Sequence, residues 1–281
     1  MKLHIGIAGP IATENIASLL DCDISAVPTG YTGAPLTAVL IKELLHQGHK
    51  VSAFTTDELL DPATGTVKVS GPNFNFTICP ARRRAWRFNK HRLGRAVDGF
   101  AYERQLLEKA INQAHPDIIH AHWTYEFALA AIKTGIPHII TCHDAPAVVL
   151  RYTRSFYRAV RYLMARQVFA KGHNFTTVSP YMAYALQRYT NAPISVVPNP
   201  LSAYVLELGK VRNATSTKRI GMICNGWDAR KNPKPALQAF AQFRQVCPTA
   251  ELHLFGYDFG LGEQAQLWCE QQGLANGLEF H

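Results

Sequence analysis

The sequence has little of what marks several common protein classes. Its 281 residues contain no uninterrupted apolar run of about 18 residues, the length that a membrane-spanning helix needs. The six cysteines are scattered without a CxxC spacing, so we expect buried free thiols and neither a disulfide framework nor a zinc site. Charged residues make up 17% and apolar residues 47% of the chain, which excludes a disordered polypeptide and predicts a globular protein with a substantial core.

Two functional signatures are also missing. The segment GIAG, Gly6 to Gly9, lacks the GxGxxG spacing, which argues against an NAD-dependent oxidoreductase. No nucleic-acid-binding module is recognisable despite a net charge of +9, so nucleic acid is not an expected partner. The apolar run at the N-terminus ends at Gly9 and Pro10, too early for a secretory signal, and we expect a cytoplasmic protein.

Short apolar runs alternate with amphipathic segments along the chain, which is typical of a parallel sheet with crossover helices. The clearest helix runs from Pro35 to Gln47, because its apolar residues recur at helical spacing and Gly48 suits the stop. Seven strands are predicted before residue 200: His4 to Ala8, Lys50 to Thr55, Asn75 to Cys79, Asp117 to His120, His138 to Thr141, Asn174 to Val178 and Ile194 to Val197.

After Pro200 the sequence is polar and irregular as far as Lys218, and the alternation then restarts. We therefore predict an α/β fold with a Rossmann-like parallel-sheet domain over residues 1–200, a linker over 201–217 and a second Rossmann-like domain over 218–281. The predicted strands of this second domain are Ile220 to Cys224, Glu251 to Phe255 and Leu278 to Phe280, and its helices are Pro235 to Val246 and Gly262 to Gln271. A complete doubly wound domain takes about 150 residues, so we expect an incomplete one.

Polar or basic side chains follow four of the short apolar runs, in the segments PDIIHAHW, IITCHD, ISVVPNP and GWDARKNP. Ligands of open α/β sheets bind beyond the carboxyl ends of the strands, so these side chains are predicted to converge on one crevice. The residues concerned are His120, His122, His143, Asp144, Asn199, Arg230 and Lys231.

Individual members of this set have more than one interpretation. His120 and His122 would lie on the same side of a strand, as a metal pair can, but no third ligand has a local spacing and we expect no metal. We expect His120 to bond within the sheet and His122, predicted one position past the strand, to face the crevice. Asp144 could act as a general base or as the N-cap of a helix beginning near Pro146, and both roles remain open.

A glycine-rich turn, GYTG, precedes the predicted helix at Pro35. Free N–H groups at a helix start favour an anion, and Gly30 and Gly33 would let a phosphate approach the backbone, although a plain connecting turn is an equal alternative. Arg230 and Lys231 also stand at a predicted helix start. Basic residues there oppose the helix dipole, which favours anion binding over a solvated pair.

The order of these motifs resembles that of the GT-B glycosyltransferases, specifically retaining glycosyltransferase family 4. The resemblance implies a hexosyltransferase with a UDP- or GDP-sugar donor as substrate and no cofactor or metal. It places the glycine turn near the donor diphosphate and His143 against the donor sugar, and the leaving diphosphate itself would take the acceptor proton. Expected catalytic residues are His143, His122 and Asp144, and expected donor-binding residues are Gly30, Gly33, Asn199, Arg230 and Lys231.

The sequence also departs from the family. Members often have Arg directly after the Gly of the GWDARKNP segment, where this chain has Trp227, so Lys231 is a closer match than Arg230. The E-x7-E carboxylate pair of the family has no counterpart, and we expect a truncated chain that is inactive alone. The alternative is a non-catalytic protein that binds an anion, a saccharide or a partner on the same N-terminal domain.

Positive charge is concentrated between Arg82 and Lys171, with 16 Lys and Arg against 6 Asp and Glu. One acid-free segment lies at 81–95, and in a second, 151–163, four arginines would share one helical face within about 80°. A solvated helix face and an anionic surface remain equal alternatives, the latter implying a lipid-linked acceptor and a peripheral position on the inner membrane face. The residues predicted for acceptor or membrane contact are Arg83, Arg84, Trp86, Arg87, Arg151, Arg154, Arg158 and Arg161.

Overall fold

The computed structural model describes residues 1–210 and 218–281 and divides them into two compact units, Met1–Leu206 and Glu207–His281. The first unit contains a mostly parallel sheet of eight strands in the order β3-β4-β2-β1-β5-β6-β7-β8. These strands are β1 (His4–Ala8), β2 (Lys50–Asp57), β3 (Val67–Gly71), β4 (Phe74–Pro80), β5 (Ile118–His122), β6 (His138–Cys142), β7 (Phe175–Thr177) and β8 (Ile194–Val196).

All seven strands predicted in the first unit are confirmed, and β3 is an addition at the edge of the sheet. It pairs antiparallel with β4 across a tight turn in which Asn73 has a φ of 55°, a backbone region that asparagine tolerates better than most residues. The five residues of β3 are short and partly exposed, so they lack the apolar run that identifies a buried strand.

Helices cover both faces of this sheet. They are α1 (Pro35–His46), α2 (Ala101–Ala114), α3 (Glu126–Lys133), α4 (Pro146–Thr153), α5 (Phe156–Lys171) and α6 (Pro180–Gln187). A further helix, α7 (Ala203–Lys210), spans the boundary between the two units and buries none of its residues. Successive strand residues point to opposite faces, and the buried residues separate accordingly into two apolar clusters: Ile7 and Ala53 belong to one, and Ala8 and Phe54 to the other. The sheet is thus buried on both sides, so side chains that a ligand could reach are expected at its ends.

The prediction of one continuous basic helix face over 151–163 is wrong. Helix α4 ends at Thr153, and its C-cap Arg154 adopts a left-handed conformation with a φ of 44°. Ser155 then starts α5 as its N-cap, accepting a hydrogen bond from the Arg158 backbone N–H. Because the chain changes direction at this cap, Arg151 and Arg158 belong to different helices and form no common stripe.

The second unit has the predicted alternation of strands and helices, with ends shifted by at most two residues. Its strands β9 (Arg219–Ile223), β10 (Glu251–Phe255) and β11 (Leu278–Phe280) form a parallel sheet in the order β11-β10-β9. Helices α8 (Lys234–Val246) and α9 (Gln264–Gln271) enclose a small core that includes Leu237, Phe240, Leu252, Leu254 and Cys269.

The predicted irregular linker over 201–217 is wrong in its first half, because α7 occupies Ala203–Lys210. Its second half, 211–217, lies outside the described residues. All six cysteines are free thiols, and Cys79, Cys142, Cys247 and Cys269 are buried as expected. Within residues 1–210 and 218–281, no helix has both the length and the apolar character needed to cross a bilayer.

Candidate functional site

Three histidines are stacked at the carboxyl ends of β5 and β6, and we call them the histidine cluster: His120, His122 and His143. His120 and His122 alternate along β5, so both point to the same face, with ring centroids 4.4 Å apart. His143 directly follows β6, and its Nε2 lies 2.9 Å from Nδ1 of His122. Two neighbouring parallel strands thereby bring together imidazoles that are 21 residues apart in sequence.

The hydrogen bond between His122 and His143 fixes the positions of their protons. Nε2 of His122 is buried and has no hydrogen-bond partner among the described residues. Buried N–H groups without an acceptor are rarer in proteins than buried acceptors without a donor, so we infer that His122 carries its proton on Nδ1 and donates it to His143. Neutral His143 must then carry its own proton on Nδ1, which becomes a hydrogen-bond donor of fixed position.

Burial keeps the whole histidine cluster uncharged at neutral pH. It lowers the pKa of His120 to about 4, with a smaller contribution from the charge of His143, and it lowers the pKa of His143 to about 4. The pKa of His122 is well below its usual value because of burial and of its two neighbours. A charged imidazole would lose its hydration here without gaining an anionic partner, so the neutral form is favoured.

The structure confirms the expected role of His120 and corrects that of His122. Nε2 of His120 bonds to Oγ1 of Thr141 on the neighbouring strand at 2.6 Å, so this imidazole is satisfied within the sheet. His122 is the last residue of β5 instead of the first beyond it, and its exposed fraction is only 3%. It packs against Gly9, where a Cβ would lie 2.9 Å from the His122 Cβ. His122 is therefore a buried residue that positions His143 through the hydrogen bond between their imidazoles.

Asp144 accepts a hydrogen bond from the Tyr125 hydroxyl, with both carboxylate oxygens 2.9 Å from it. The N-cap of α4 is Ala145, and no side chain caps this helix, so the N-cap interpretation of Asp144 is wrong. Burial, and then the Asp144 charge, raise the pKa of Tyr125, so the phenol stays protonated and can donate. The general-base role of Asp144 stays a prediction.

The glycine turn before α1 is anchored by a carboxylate that sequence reasoning missed. The Gly30 N–H donates to Oδ2 of Asp57 at 2.9 Å, and Thr29 donates to the same oxygen. Gly30 has a φ of 71°, and a Cβ there would lie 2.5 Å from the Ile11 carbonyl oxygen, so only glycine fits. Its amide is therefore occupied by the protein itself, which leaves Gly33 as the accessible glycine of the turn.

Gly33 has a φ of 102° and open space around its α-carbon. Helix α1 begins two residues later at Pro35 without a side-chain cap, so its first N–H groups are not satisfied by a capping side chain. A cavity of about 340 Å³ lies beside the turn and is lined by Gly30, Tyr31, Thr32, Asp57, Glu58 and Arg83, among others. The position of Asp57 at the end of β2 is the sequence signal that could have identified this carboxylate.

Aromatic side chains that the sequence analysis did not single out connect the turn to the histidine cluster. Tyr31 of the turn contacts Trp123, the residue after His122, edge to face with 5.3 Å between ring centroids. Trp123 has a φ of 68°, a conformation that turns the chain sharply at the end of β5. Burial, followed by the charge of Glu126, raises the pKa of Tyr31 to about 12.

Arg161 does not belong to an exposed basic surface, contrary to the prediction. Its side chain is 5% exposed and forms an ion pair with the equally buried Glu126 of α3. The guanidinium also lies 3.8 Å from the ring centroid of Tyr125, a cation–π contact. Arg161 thus links α5 to α3 through its ion pair with Glu126 and has a structural role.

The other predicted surface residues have varied exposure. Arg83, Arg84 and Arg87 are exposed, and Trp86 retains half of its accessible surface. On the later segment, Arg151 and Arg154 are exposed and Arg158 is half-buried. Their accessibility permits contact with a ligand or a surface, and those contacts stay predictions.

The candidate phosphate-binding residues of the second unit lie in a turn between β9 and α8. Oδ1 of Asp228 accepts hydrogen bonds from the backbone N–H groups of Arg230 at 2.8 Å and Lys231 at 3.0 Å. Both side chains are exposed, and the Arg230 guanidinium is 4.0 Å from the Asp228 carboxylate. Helix α8 begins at Lys234, three residues later than Lys231, so the two cations precede the helix.

Trp227 packs in the core of the second unit, with its ring centroid 5.5 Å from that of Trp268. Its role explains why an aromatic residue stands where family members often have Arg. Asn199 is exposed beyond β8 in the first unit. The prediction that residues of the two units share one crevice stays a prediction. In the described parts of the chain, no three His, Cys, Asp or Glu side chains are grouped so that they could hold a metal ion.

Solved structures with this architecture include several sugar-transferring enzymes. Sucrose-phosphate synthase from Thermosynechococcus elongatus is 15% identical with a TM-score of 0.60, and the alignment covers 100% of this chain and 70% of that one. An E. coli trehalose-6-phosphate structure bound with UDP-2-fluoro glucose is 13% identical with a TM-score of 0.59, covering 98% and 72%. The catalytic domain of Starch Synthase IV from Arabidopsis thaliana, bound to ADP and acarbose, is 14% identical with a TM-score of 0.55, covering 99% and 74%.

These likenesses, at 13 to 15% identity, establish a GT-B-like α/β fold. No curated protein sequence matches the chain. The sequence profile of Glycosyltransferase Family 4 matches residues 36–203, which is more than half of the chain and includes α1, the histidine cluster and the arginines that follow β4. The chain belongs to glycosyltransferase family 4.

Proposed function

We propose that this glycosyltransferase takes a sugar from a UDP- or GDP-linked donor and transfers it to a saccharide or lipid-linked acceptor with retention of configuration. The observation that carries the proposal is the bond between His122 and His143, which presents a neutral imidazole with a fixed tautomer at the carboxyl edge of the sheet. Sugar-binding sites need such groups, because a neutral donor of fixed direction can pair with a hydroxyl without burying a charge.

The donor diphosphate requires positive charge or free N–H groups. Lys231 and Arg230 supply exposed cations on a turn whose backbone is held by Asp228. In the first unit the start of α1 after Gly33 offers uncapped N–H groups. We assign both features to phosphate binding. Related folds support a nucleotide donor, since the E. coli structure contains UDP-2-fluoro glucose and the starch synthase contains ADP.

Retention of configuration follows in this proposal from the way in which the acceptor is deprotonated. Asp144, the carboxylate adjacent to His143, is engaged by the Tyr125 hydroxyl. We infer that the leaving diphosphate removes the acceptor proton on the face where the new bond forms, while the protein holds donor and acceptor in line. Asp144 and His122 then act by positioning Tyr125 and His143, and His143 contacts the donor sugar.

A lipid-linked acceptor would require the protein to reach an anionic membrane surface. Trp86 and the neighbouring Arg83, Arg84 and Arg87 are exposed together, which suits the interface of a bilayer with anionic lipids. Such an acceptor would connect the enzyme with cell-surface polysaccharide or glycolipid synthesis. Co-sedimentation with neutral and anionic vesicles tests this part, and equal binding to both would reject it.

Donor binding tests the main proposal. Titrations of UDP-glucose and GDP-mannose by calorimetry should show saturable binding of at least one of them to the unaltered chain. His143→Ala should weaken it by roughly tenfold, the loss expected for one hydrogen bond in a desolvated site. Lys231→Ala should weaken binding similarly, whereas the control Lys171→Ala, at an exposed lysine, should not. The absence of binding by both nucleotide sugars would refute the assignment, and proton NMR of the product of any turnover would report its anomeric configuration.

A further inference from the structure

The segment between β4 and α2 forms a loop that is held by hydrogen bonds among its own residues, and a cavity lies beside it. We call residues 83–95 the arginine loop. The cavity has a volume of about 540 Å³, which is within the range of small-molecule sites. Its basic lining consists of Arg82, Arg83, Arg84, Lys90 and Arg92, and its acidic lining consists of Glu58 and Asp61.

Each of the two acidic side chains in this lining already forms an ion pair with a basic side chain. Lys90 pairs with Asp61 at 3.0 Å, and Glu58 forms an ion pair with Arg95. Arg82, in turn, is neutralised by Asp98 and Glu103.

Three arginines of the cavity lining are not neutralised by these ion pairs. Arg83, Arg84 and Arg92 form no ion pair in the part of the chain that the structure describes. Arg84 donates to the Phe88 carbonyl oxygen, and the Arg92 guanidinium lies over Tyr102, 4.1 Å from its ring centroid. Neither contact supplies a negative charge, so the cavity has an excess of positive charge that an anion would neutralise.

The backbone of the arginine loop is organised before any ligand arrives. The Asn89 side chain accepts from the Arg84 N–H at 2.9 Å and donates to the Arg84 carbonyl oxygen at 3.1 Å. The Asn89 and Arg92 backbones exchange two further hydrogen bonds of 2.7 and 3.0 Å. Arg82 anchors the far side by donating to the Leu93 carbonyl oxygen. A cluster of like charges held by such bonds does not need to be ordered on binding, which favours affinity.

The cavity adjoins the one beside the glycine turn. Both are lined by Glu58, Leu59 and Arg83, and the second is also lined by Gly30 and Tyr31. Arg83, the first residue of the arginine loop, therefore lines both cavities.

We propose that the arginine loop binds a phosphate group carried by the acceptor, with Arg83 and Arg84 as its principal ligands. That this anion belongs to the acceptor rests on the proposed transferase function, whereas the anion site itself rests on the unpaired guanidinium groups. Guanidinium and phosphate match in geometry, since two parallel N–H groups can bond two phosphate oxygens. The ligand class is a phosphate ester, as a soluble sugar phosphate or as the headgroup of a phosphorylated lipid.

Inorganic phosphate at constant ionic strength is the first probe, followed by NMR of the arginine side-chain N–H groups. Phosphate should shift the Arg83 and Arg84 signals in the unaltered chain, and the double variant Arg83→Gln/Arg84→Gln should lose at least about tenfold in affinity. The control is the charge-matched pair Arg166→Gln/Arg188→Gln, at exposed arginines that do not line the cavity, which should bind as the unaltered chain does.

Vesicles distinguish the two sources of phosphate. Phosphatidylcholine vesicles with and without phosphatidic acid should both fail to bind if the natural ligand is soluble, whereas binding only with phosphatidic acid, lost in Arg83→Gln/Arg84→Gln, identifies a lipid headgroup. The proposal is overturned if both double variants lose phosphate binding equally, or if Lys231→Ala abolishes it and Arg83→Gln/Arg84→Gln does not. The UDP-glucose titration of Arg84→Gln separates the two proposals, since Arg84 lines the cavity of the arginine loop and not the one beside the glycine turn, and donor binding should be unchanged there.

Discussion

The histidine cluster and the arginine loop both follow strands of the same sheet, yet they present opposite kinds of chemistry. The imidazoles are buried between β5 and β6, where desolvation lowers their pKa values and keeps them neutral. The guanidinium groups after β4 extend into solvent on a loop and keep their charge. A neutral, directional contact suits a sugar hydroxyl and a charged one suits a phosphate, so the two regions differ in the kind of group that they can bind.

Arg82 directly precedes the arginine loop and should give the largest effect of a single substitution. Its guanidinium is 1% exposed and is bonded to Asp98 at 2.7 Å and to Glu103 at 2.7 Å. Arg82→Met leaves the buried Glu103 without its cation, so we expect a loss of about 3–5 kcal/mol in the free energy of unfolding. Arg83→Met, one residue further, should change it by less than about 0.5 kcal/mol. Urea unfolding followed by circular dichroism measures both, and equal losses would contradict the difference in burial.

The pH dependence of stability tests the neutral state of the histidine cluster. Above pH 6.5 the imidazoles are neutral in the folded and unfolded chain alike, and the stability that they contribute is complete. As the pH falls from 6.5 towards 4, the unfolded chain takes up protons that folded His120 and His143 do not, so stability is lost. We expect a loss of about 3 kcal/mol per imidazole across this window.

Replacing His120 isolates the share of this loss of stability that a single imidazole causes. The free energy of unfolding of His120→Gln should fall less steeply between pH 6.5 and 4 than that of the unaltered chain, as measured by urea titrations at each pH. The control His173→Gln removes an exposed imidazole outside the cluster. Equal slopes in the two variants would show that the cluster does not cause the pH dependence.

Gly9 tests whether the position of His122 matters to His143. In Gly9→Ala the new Cβ would lie 2.9 Å from the His122 Cβ, so β5 must shift at His122 and carry its imidazole with it, or the Gly9 backbone must shift. Overpacking of this kind costs about 1–3 kcal/mol. Donor binding should weaken as well, since His143 depends on the hydrogen bond from His122. Gly221→Ala is the control, because no atom lies within 4 Å of its Cβ, and unaltered nucleotide-sugar affinity in Gly9→Ala would separate His122 from the site.

The smallest effect on stability is expected within the arginine loop. Arg84→Gln should change the free energy of unfolding by less than about 0.5 kcal/mol, because its side chain is exposed. Asn89→Ala should cost about 1–2 kcal/mol, since its amide bonds both the N–H and the carbonyl group of Arg84. Thermal unfolding of the two variants compares them. A larger loss for Arg84→Gln would mean that the guanidinium groups hold the loop, not Asn89.

Periodicity in the sequence was sufficient to predict seven of the eight strands of the first sheet and to bring His120, His122 and His143 to the same region, because buried parallel strands leave apolar runs and their carboxyl ends align. The same reasoning failed for Arg161, where only the tertiary contact with Glu126 distinguishes a buried arginine from a surface one. The break at Ser155 had a local signal, since serine is a favoured N-cap, but a helical periodicity across it masked that signal.

His122 and Asp144 show a second kind of limit. A shift of two residues in the predicted end of β5 was enough to make His122 face the crevice in the prediction, whereas it is buried next to His143 in the structure. The Tyr125 partner of Asp144 comes from the segment after another strand, and no spacing in the sequence connects the two residues. Contacts between neighbouring strand ends depend on register, which hydrophobic patterns define only to within a few residues.

The anchoring of the arginine loop through Asn89 has a consequence for how this enzyme could diversify. Because the loop closes on its own backbone, its outward side chains can be exchanged without disturbing the sheet beneath them. Under the proposal that this loop binds the acceptor phosphate, transplanting residues 83–95 between homologous enzymes should change acceptor selectivity.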